Sequence, residues 1–251
     1  MEDSYEETLE SVGRRVLDCR AAAETDPATL PALAAALIDY AGILSDYEQP
    51  EEALQAMGEA VQLYGRLVAG GESRFLADFA RSLNNRGAML SELGRLKEAF
   101  ESTEEAVKCH RQLVEQGPAG FEPALASSLN NLGALLASLD KNEEAIQVAD
   151  EAIEIYRRLA EEKPELFVPL LATSFGSKGA VLRSCGDKAG AVEAFREGVA
   201  TLKPQFMASP KILRSLMTNL AIDYSKGCAM AGMKADWTLL GGVIPQLAEE
   251  G

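Results

Sequence analysis

The chain has 251 residues, 47% of them hydrophobic, and a formal net charge of −15. Phosphate backbones are bound by concentrated lysine and arginine, and the sequence has no basic run, which argues against nucleic acid or an anionic membrane surface as a partner. No stretch approaches the ~20 apolar residues of a membrane span, and the acidic N-terminus lacks the features of a signal peptide, so we expect a cytoplasmic protein.

Apolar residues at helical spacing predict helices along the whole chain. The first is expected over Ser4–Glu24, where it would cover the apolar side of the helices that follow. The next two are predicted over Asp26–Tyr47 and Pro50–Val68, and Pro50 suits the first turn of a helix. Gly70-Gly71 then ends this pair, so the chain begins as a capping helix and a helical hairpin.

The clearest copy of a repeated unit is Ser128–Leu139, SLNNLGALLASL, and it recurs every 46 residues. SLNNRGAML begins one period earlier, at Ser82. Several independent positions keep the same step, which indicates a true internal repeat. They are Ala41, Gly87, Gly133 and Gly179; Ala53, Ala99, Ala145 and Ala191; and Phe75, Phe121 and Phe167 at the start of successive units.

Each unit is expected to hold two antiparallel helices, called here helix A and helix B. Leucines in helix A step by 4 and 3 residues, which places them on one helical face. A glycine inside a helix costs about 1 kcal/mol relative to alanine, so the recurrence of Gly133 predicts a close approach of helix B. Gly94 and Asp140 are typical of the turn between the two helices.

These residues resemble the tetratricopeptide repeat (TPR) family. Leu132, Gly133, Leu136, Ala145 and Ala152 have the order and spacing of its signature, although the usual TPR has 34 residues. The longer unit is similar to the repeats of kinesin light chains and to bacterial TPR arrays that carry the phrase read here at Phe121–Gly133. The resemblance covers roughly Thr25–Pro204 and implies an all-α, right-handed α-solenoid of antiparallel helix pairs.

We therefore expect a single TPR-like solenoid. Its predicted parts are a capping helix (1–24), four repeats (25–70, 71–117, 118–163 and 164–204), and a degenerate repeat with a C-terminal cap (205–251). In the fourth repeat, helix B is expected to end near Pro204. Ser215–Lys226 is similar to Ser128–Leu139 with a displacement of one residue.

The C-terminal segment allows two interpretations. Trp237–Leu247 is apolar and interrupted by Gly241-Gly242, so it predicts a short terminal helix. This helix would cap the last pair, as the end repeats of solenoids require. Alternatively, Met230, Met233, Trp237 and Leu240 would form a docking patch through which the protein self-assembles or docks as a regulatory subunit.

Catalytic chemistry has little support in the sequence. The four cysteines have no C-x-x-C spacing, which favours free thiols in a reducing compartment. The single histidine, His110, occupies the position of Tyr64 and Tyr156, and its neighbour Cys109 would point about 100° away on a helix. Nucleotide-binding, zinc-hydrolase and nucleophile-elbow motifs are also missing. We predict a non-enzymatic protein without cofactor or metal.

The resemblance implies a binding surface on the A helices. In TPR-like arrays these helices line a concave groove, and the residues two and three before the small glycine point into it. Asparagine carries both donors and acceptors, so repeated asparagines can hold an extended peptide by its backbone, or alternatively tie adjacent helices together. The predicted groove residues are Asp39, Arg81, Asn84, Asn85, Asn130, Asn131, Ser177, Arg183, Asn219 and Lys226. The expected function is a scaffold that binds a protein or peptide partner.

Overall fold

The computed structural model describes residues 2–117 and 120–248, and the regular structure in these ranges is helical. Helix α1 (Glu2–Thr25) matches the predicted first helix. Four A–B pairs follow, and then α10 (Pro210–Ala231) leads into the short helices α11 (Trp237–Leu240) and α12 (Val243–Ala248). The pairs are α2 (Leu30–Asp46) with α3 (Pro50–Ala69), α4 (Leu76–Glu92) with α5 (Leu96–Gln116), α6 (Glu122–Ser138) with α7 (Asn142–Glu162), and α8 (Pro164–Ser184) with α9 (Lys188–Ala208).

Packing divides the chain into two compact units, Met1–Phe121 and Glu122–Gly251. In the first unit, Val16 of α1 joins a core with apolar residues of α2 and α3, such as Leu37 and Met57. In the second unit, the fully buried rings of Phe195 and Phe206 centre a core that α8, α9 and α10 share. The all-α class predicted from the repeat is confirmed.

The turn between helix A and helix B has the same backbone conformation in every repeat. Its central residue has a left-handed φ between 57° and 84° in all four pairs and of 67° after α10. The next amide donates to a carbonyl five residues earlier, for example Lys141 to Leu136 and Arg95 to Leu90, both at 2.8–2.9 Å. This is a Schellman-type end of a helix. The residues in this conformation are Glu48, Gly94, Asp140, Gly186 and Gly232, each 46 residues after the last.

The small residues of the A helices do permit close approach of the B helices. A Cβ atom added to Gly133 would lie 3.4 Å from the Ala145 carbonyl oxygen and 3.3 Å from Val148 Cγ2. At Gly179 it would lie 2.5 Å from the ring of Phe195, closer than any van der Waals contact. The explanation given for the recurring glycine is therefore confirmed.

Helix B of the fourth repeat does not end near Pro204, so that expectation is wrong. Helix α9 continues to Ala208, 46 residues after the end of α7 at Glu162. A proline inside a helix costs about 3 kcal/mol because it lacks an amide hydrogen and crowds the preceding turn. Burial of the Phe206 side chain two residues later, worth about 1.5–3 kcal/mol, offsets most of this cost.

One described segment, Pro27–Asp46, is long and apolar enough by length and composition to span a membrane, with a mean hydropathy of 1.5. The expectation that no stretch approaches such a span is therefore wrong. In the structure this segment contains α2, which packs on α1 and α3. Its apolar side chains, including Leu33, Leu37 and Leu44, belong to the core of the first unit, so its composition is that of a core helix.

The C-terminal segment forms two short helices instead of one. The buried side chains of Leu240 and Val243 close the core of the second unit, as the capping interpretation requires. Asp236 caps α11, because its carboxylate accepts hydrogen bonds from the amides of Thr238 (2.9 Å) and Leu239 (3.4 Å). Trp237 is nevertheless 67% exposed and Met230 is 53% exposed, so part of the segment also faces solvent.

Candidate peptide-binding surface on the A helices

One position on the A helices carries a polar residue in all five repeats, and we call it the A-helix row. Its members are half-buried or exposed, and they follow one another at the 46-residue step. Because these side chains already reach the solvent, they can contact a ligand without a rearrangement of the protein core. The A-helix row consists of Asp39, Asn85, Asn131, Ser177 and Asp223.

Asp223 is missing from the residues predicted from sequence, and Asn219 was placed in its stead. The similarity of Ser215–Lys226 to Ser128–Leu139 suggested a displaced register. Gly232, however, lies 46 residues after Gly186 in the same turn conformation, so α10 keeps the register of the earlier repeats. Asn219 is exposed and occupies the position of Arg81, one turn before the row. Counting 46 residues from Ser177 would have found Asp223.

In the first unit, the predicted charged residues lie in exposed ion pairs. Asp39 accepts a hydrogen bond of 2.6 Å from Arg15 of α1, and Arg81 donates to Asp78 of its own helix at 3.0 Å. The neighbouring Asn84 and Asn85 of α4 are both half-buried. The first unit therefore offers Asn85 as the uncharged member of the A-helix row.

In the second unit, the two asparagines of α6 differ in their contacts. The Asn130 amide Nδ2 donates to the Ser174 hydroxyl at 2.8 Å and thereby joins α6 to α8. Its carbonyl oxygen is buried and has no hydrogen-bond partner among the described residues. Asn131, the next residue, is half-buried and belongs to the A-helix row. One asparagine of this pair thus ties adjacent A helices together.

A depression of about 320 Å³ lies between α6 and α8. Its walls carry only alanine, serine and valine side chains. These short side chains leave space between the helices, and the surface there is largely apolar. Asn131 is one helical turn from Ala134 on this wall, and residues so spaced are neighbours on a helix surface. The depression can accept an apolar side chain beside the polar row. Its lining residues are Ala134, Ala137, Ser138, Ser177, Ala180, Val181 and Ser184.

Arg183 and Lys226, the two remaining predicted residues, have different environments. Arg183 Nη1 donates to Asp223 Oδ1 at 3.2 Å, and its guanidinium lies 5.3 Å from the centre of the Phe195 ring. The arginine is therefore held between α8, α9 and α10. Lys226 is exposed at the position equivalent to Ala180 in the wall of the depression.

The adjacent Cys109 and His110 are not arranged as a catalytic pair. Burial raises the pKa of the Cys109 thiol to about 11, and burial also lowers the pKa of His110. Both shifts oppose the thiolate–imidazolium pair that nucleophilic catalysis needs. Within the described ranges, no three His, Cys, Asp or Glu side chains are grouped as metal ligands.

His110 instead fills an aromatic position of the repeat, as predicted. It is 4% exposed, and its equivalents Tyr64 and Tyr156 are each 3% exposed. The tyrosines pack against the phenylalanines that begin the next repeat, with ring centres 6.0 Å apart for Tyr64–Phe75 and 6.5 Å apart for Tyr156–Phe167.

The helix pairs, their turns and the small A-helix residues define a TPR-like repeat protein. Residues 78–158, which include most of α4–α7, match the family model described as tetratricopeptide repeat. Residues 2–65 match the model described as anaphase-promoting complex subunit 5. The resemblance inferred from the sequence is thus confirmed over the central repeats. A comparison with proteins of curated function gave no significant match.

Solved structures support the same fold. BtubC (BKLC) from P. vanneervenii is 20% identical, with a TM-score of 0.70 over 96% of this chain and 89% of that protein. A kinesin light chain-type protein of Podosopora anserina with nearly identical TPR-like repeats is 15% identical, with a TM-score of 0.56 over 80% and 95%. MamA is 14% identical, with a TM-score of 0.52 over 80% and 94%. At these identities the likeness shows the fold alone.

Proposed function

We propose that the protein is a non-catalytic, cytoplasmic interaction scaffold whose A helices bind an extended segment of a partner protein. The observation that carries the proposal is the A-helix row, in which every repeat presents a polar side chain at one position. Stacked helical repeats generally bind partners along such extended surfaces. Neither nucleic acid nor a membrane is the expected partner, because the chain is strongly acidic.

The spacing of the repeats suits a peptide in an extended conformation. Packed helices lie about 8–10 Å apart, and an extended chain rises about 3.3 Å per residue. Within the second unit, where α6 contacts α8 and α8 contacts α10, one row residue per repeat would therefore meet about every third residue of the peptide. Asn85 and Asn131 can each donate to a peptide carbonyl and accept from a peptide amide, which favours binding to the backbone over recognition of particular side chains.

Charge refines the expected partner. The two acids of the row, Asp39 and Asp223, are each paired with an arginine, Arg15 and Arg183 respectively. The uncharged members, Asn85 in the first unit and Asn131 and Ser177 in the second, are therefore the binding residues of the row in each unit. The net charge of −15 would still accelerate encounter with a basic segment through long-range attraction. We expect a segment that is neutral where it contacts the row and basic in its flanks.

Binding variants can test each unit separately. Partners captured from the native lysate would be reduced to the shortest binding peptide, and its affinity would be measured for Asn85→Ala and Asn131→Ala. We expect each substitution to weaken binding about tenfold, which corresponds to one lost hydrogen bond of about 1.4 kcal/mol. Gln147→Ala on α7 is a matched control away from the row. Unchanged affinity in both folded variants would contradict the proposal.

A second function, self-association through the C-terminal region, is favoured by the exposure of Trp237 and Met230. Deleting the terminal helices would uncover the core that Leu240 closes, so the test needs surface substitutions. Trp237→Ser with Met230→Ser should reduce the mass measured by light scattering at high concentration if this region holds a dimer. A monomeric wild type would remove this alternative.

A further inference from the structure

A polar cleft of about 460 Å³ lies in the first unit, beside α3 and apart from the A-helix row. Side chains of α3 form one wall, and Arg86 of α4 and Arg95 of the following turn contribute to the other. Two glutamates and two glutamines of α3 also line it, namely Glu51, Gln55, Glu59 and Gln62. Charged and amide groups placed in this way can fix the orientation of a bound ligand.

The cleft is open because α3 has a glycine where the other B helices carry a charged side chain. A Cβ atom added to Gly58 would meet nothing within 4 Å, so the glycine is not required by close packing. The three equivalent positions hold Glu104, Asp150 and Arg196, each 46 residues after the last. Gly58 therefore marks a side chain that this repeat lacks.

The second unit shows what such a side chain does. Asp150 of α7 accepts a hydrogen bond from Lys178 of α8, the next helix A. Arg86 follows Gly58 by the same 28 residues that separate Lys178 from Asp150. Arg86 is thus in the position of the cation, and the carboxylate that would face it is missing from the chain.

The contacts of Arg86 leave its charge without an anionic hydrogen-bond partner among the described residues. The half-buried guanidinium donates to the hydroxyl of Ser102 at 3.0 Å, and that serine is itself buried. Glu98 lies within electrostatic range of Arg86, but both oxygens of Glu98 accept hydrogen bonds from Arg95, at 2.8 and 2.6 Å.

The acids of the cleft are compensated elsewhere. Glu59 is paired with Arg20 of α1 at 2.7 Å, and Glu51 lies in the first turn of α3, where the helix dipole favours negative charge. An arginine in partly buried surroundings binds carboxylate strongly and with a defined, often bidentate geometry. The amide groups of Gln55 and Gln62 are further donors that line the same cleft.

We propose that this cleft binds a carboxylate ligand, with Arg86 as the recognising cation and the void at Gly58 as the space for the carboxylate. The ligand takes the place that Asp150 occupies beside Lys178 in the second unit. It comes either from an acidic side chain of a protein segment or from a free small carboxylate. The site is independent of the proposed peptide surface, because it shares no residue with the A-helix row.

Calorimetric titration of the intact protein tests this site with four probes. They are N-acetyl-aspartate N-methylamide, an acetylated neutral heptapeptide with one central aspartate, the same peptide with asparagine, and inorganic phosphate. We expect the aspartate-containing probes to bind wild type at least tenfold more tightly than the asparagine peptide and phosphate. A heptapeptide tenfold tighter than the small amide assigns the site to a protein segment, and equal affinities assign it to a small carboxylate.

Two variants connect binding to the geometry. Gly58→Asp should supply the missing carboxylate internally, raise the melting temperature, and weaken probe binding at least tenfold. Arg86→Gln should weaken binding to the same extent and abolish the thermal gain of Gly58→Asp in the double variant. Lys178→Gln is the matched control and should leave binding unchanged. The proposal would be overturned if the aspartate-containing probes showed no saturable binding to wild type, or if phosphate bound more tightly than they did. It would also be overturned if Gly58→Asp bound the probes as tightly as wild type.

Discussion

The Nδ2 atom of Asn130 donates a hydrogen bond of 2.8 Å to the hydroxyl of Ser174, which lies on the next helix A. The serine is fully buried, and it also donates to the carbonyl of Leu170 at 3.1 Å. This contact joins α6 and α8 about one helical turn before the first residues that line the depression between the two helices. It assigns Asn130 to the stability of the stack, while Asn131 remains in the A-helix row.

Substitution of Asn130 should therefore destabilise the stack. Asn130→Ala removes a partly buried hydrogen bond and should lower the free energy of unfolding by about 1 kcal/mol. Urea denaturation followed by circular dichroism measures this loss. A double-mutant cycle with Ser174→Ala should give a coupling energy between the two residues. Full additivity of the two substitutions would contradict the contact.

The small residue of helix A in the fourth repeat, Gly179, should tolerate no larger side chain. Gly179→Ala would place a methyl group 2.5 Å from the Phe195 ring, and overpacking of this kind typically costs about 1–3 kcal/mol. Gly42→Ala is the matched control, because that glycine lies inside α2 with nothing within 4 Å of an added Cβ atom. It should stabilise the protein by about 0.4–1 kcal/mol. Thermal melts of the two variants should shift in opposite directions.

The turn residues that are not glycine carry backbone strain. Glu48 and Asp140 have φ of 57° and 60°, and a left-handed conformation costs most L-residues about 1–2 kcal/mol. Glu48→Gly should raise the free energy of unfolding by about 0.5–1 kcal/mol, after the greater freedom of glycine in the unfolded chain is subtracted. Asp140→Gly should raise the free energy of unfolding by less, because aspartate tolerates the left-handed conformation better than glutamate does.

Gly186→Ala is the reverse test of the same turn and should be destabilising by about 1 kcal/mol. Chemical denaturation of the three variants measures their free energies of unfolding and so gives the order of their stabilities. A loss of stability in Glu48→Gly would show that the Glu48 side chain contributes more than its backbone strain costs.

Much of the fold follows from patterns that are local in sequence. The 46-residue step predicts the helix pairs, the small residue of helix A and the turn at Gly94, Asp140 and Gly186, because each depends on neighbours within one repeat. The end of α9 depends on a distant contact. Pro204 locally favours a helix end, and the burial of Phe206 in the core of the second unit favours continuation of the helix.

The candidate sites were less accessible to sequence reasoning. The contact of Asn130 with Ser174 joins residues 44 apart, so the sequence left open which asparagine ties the helices. Asp223 was missed because a local likeness in α10 outweighed the 46-residue step. The Gly58 cleft was also missed, since a glycine gives no sequence pattern of its own. Comparing Gly58 with Asp150 in the repeat register would have drawn attention to it.

His110 should make the stability depend on pH in the neutral range. Burial lowers its pKa, so the folded protein keeps a neutral imidazole at a pH where the unfolded chain, with an ordinary pKa near 6.5, already takes up a proton. This stabilisation is complete above the unfolded pKa and is lost as the pH falls toward the folded pKa. His110→Tyr introduces the residue that the neighbouring repeats carry at this position, Tyr64 and Tyr156, and it removes the titrating group. Between pH 7.5 and 5.5 the wild type should therefore lose more unfolding free energy than the variant in urea denaturation, and parallel pH profiles would contradict the assignment.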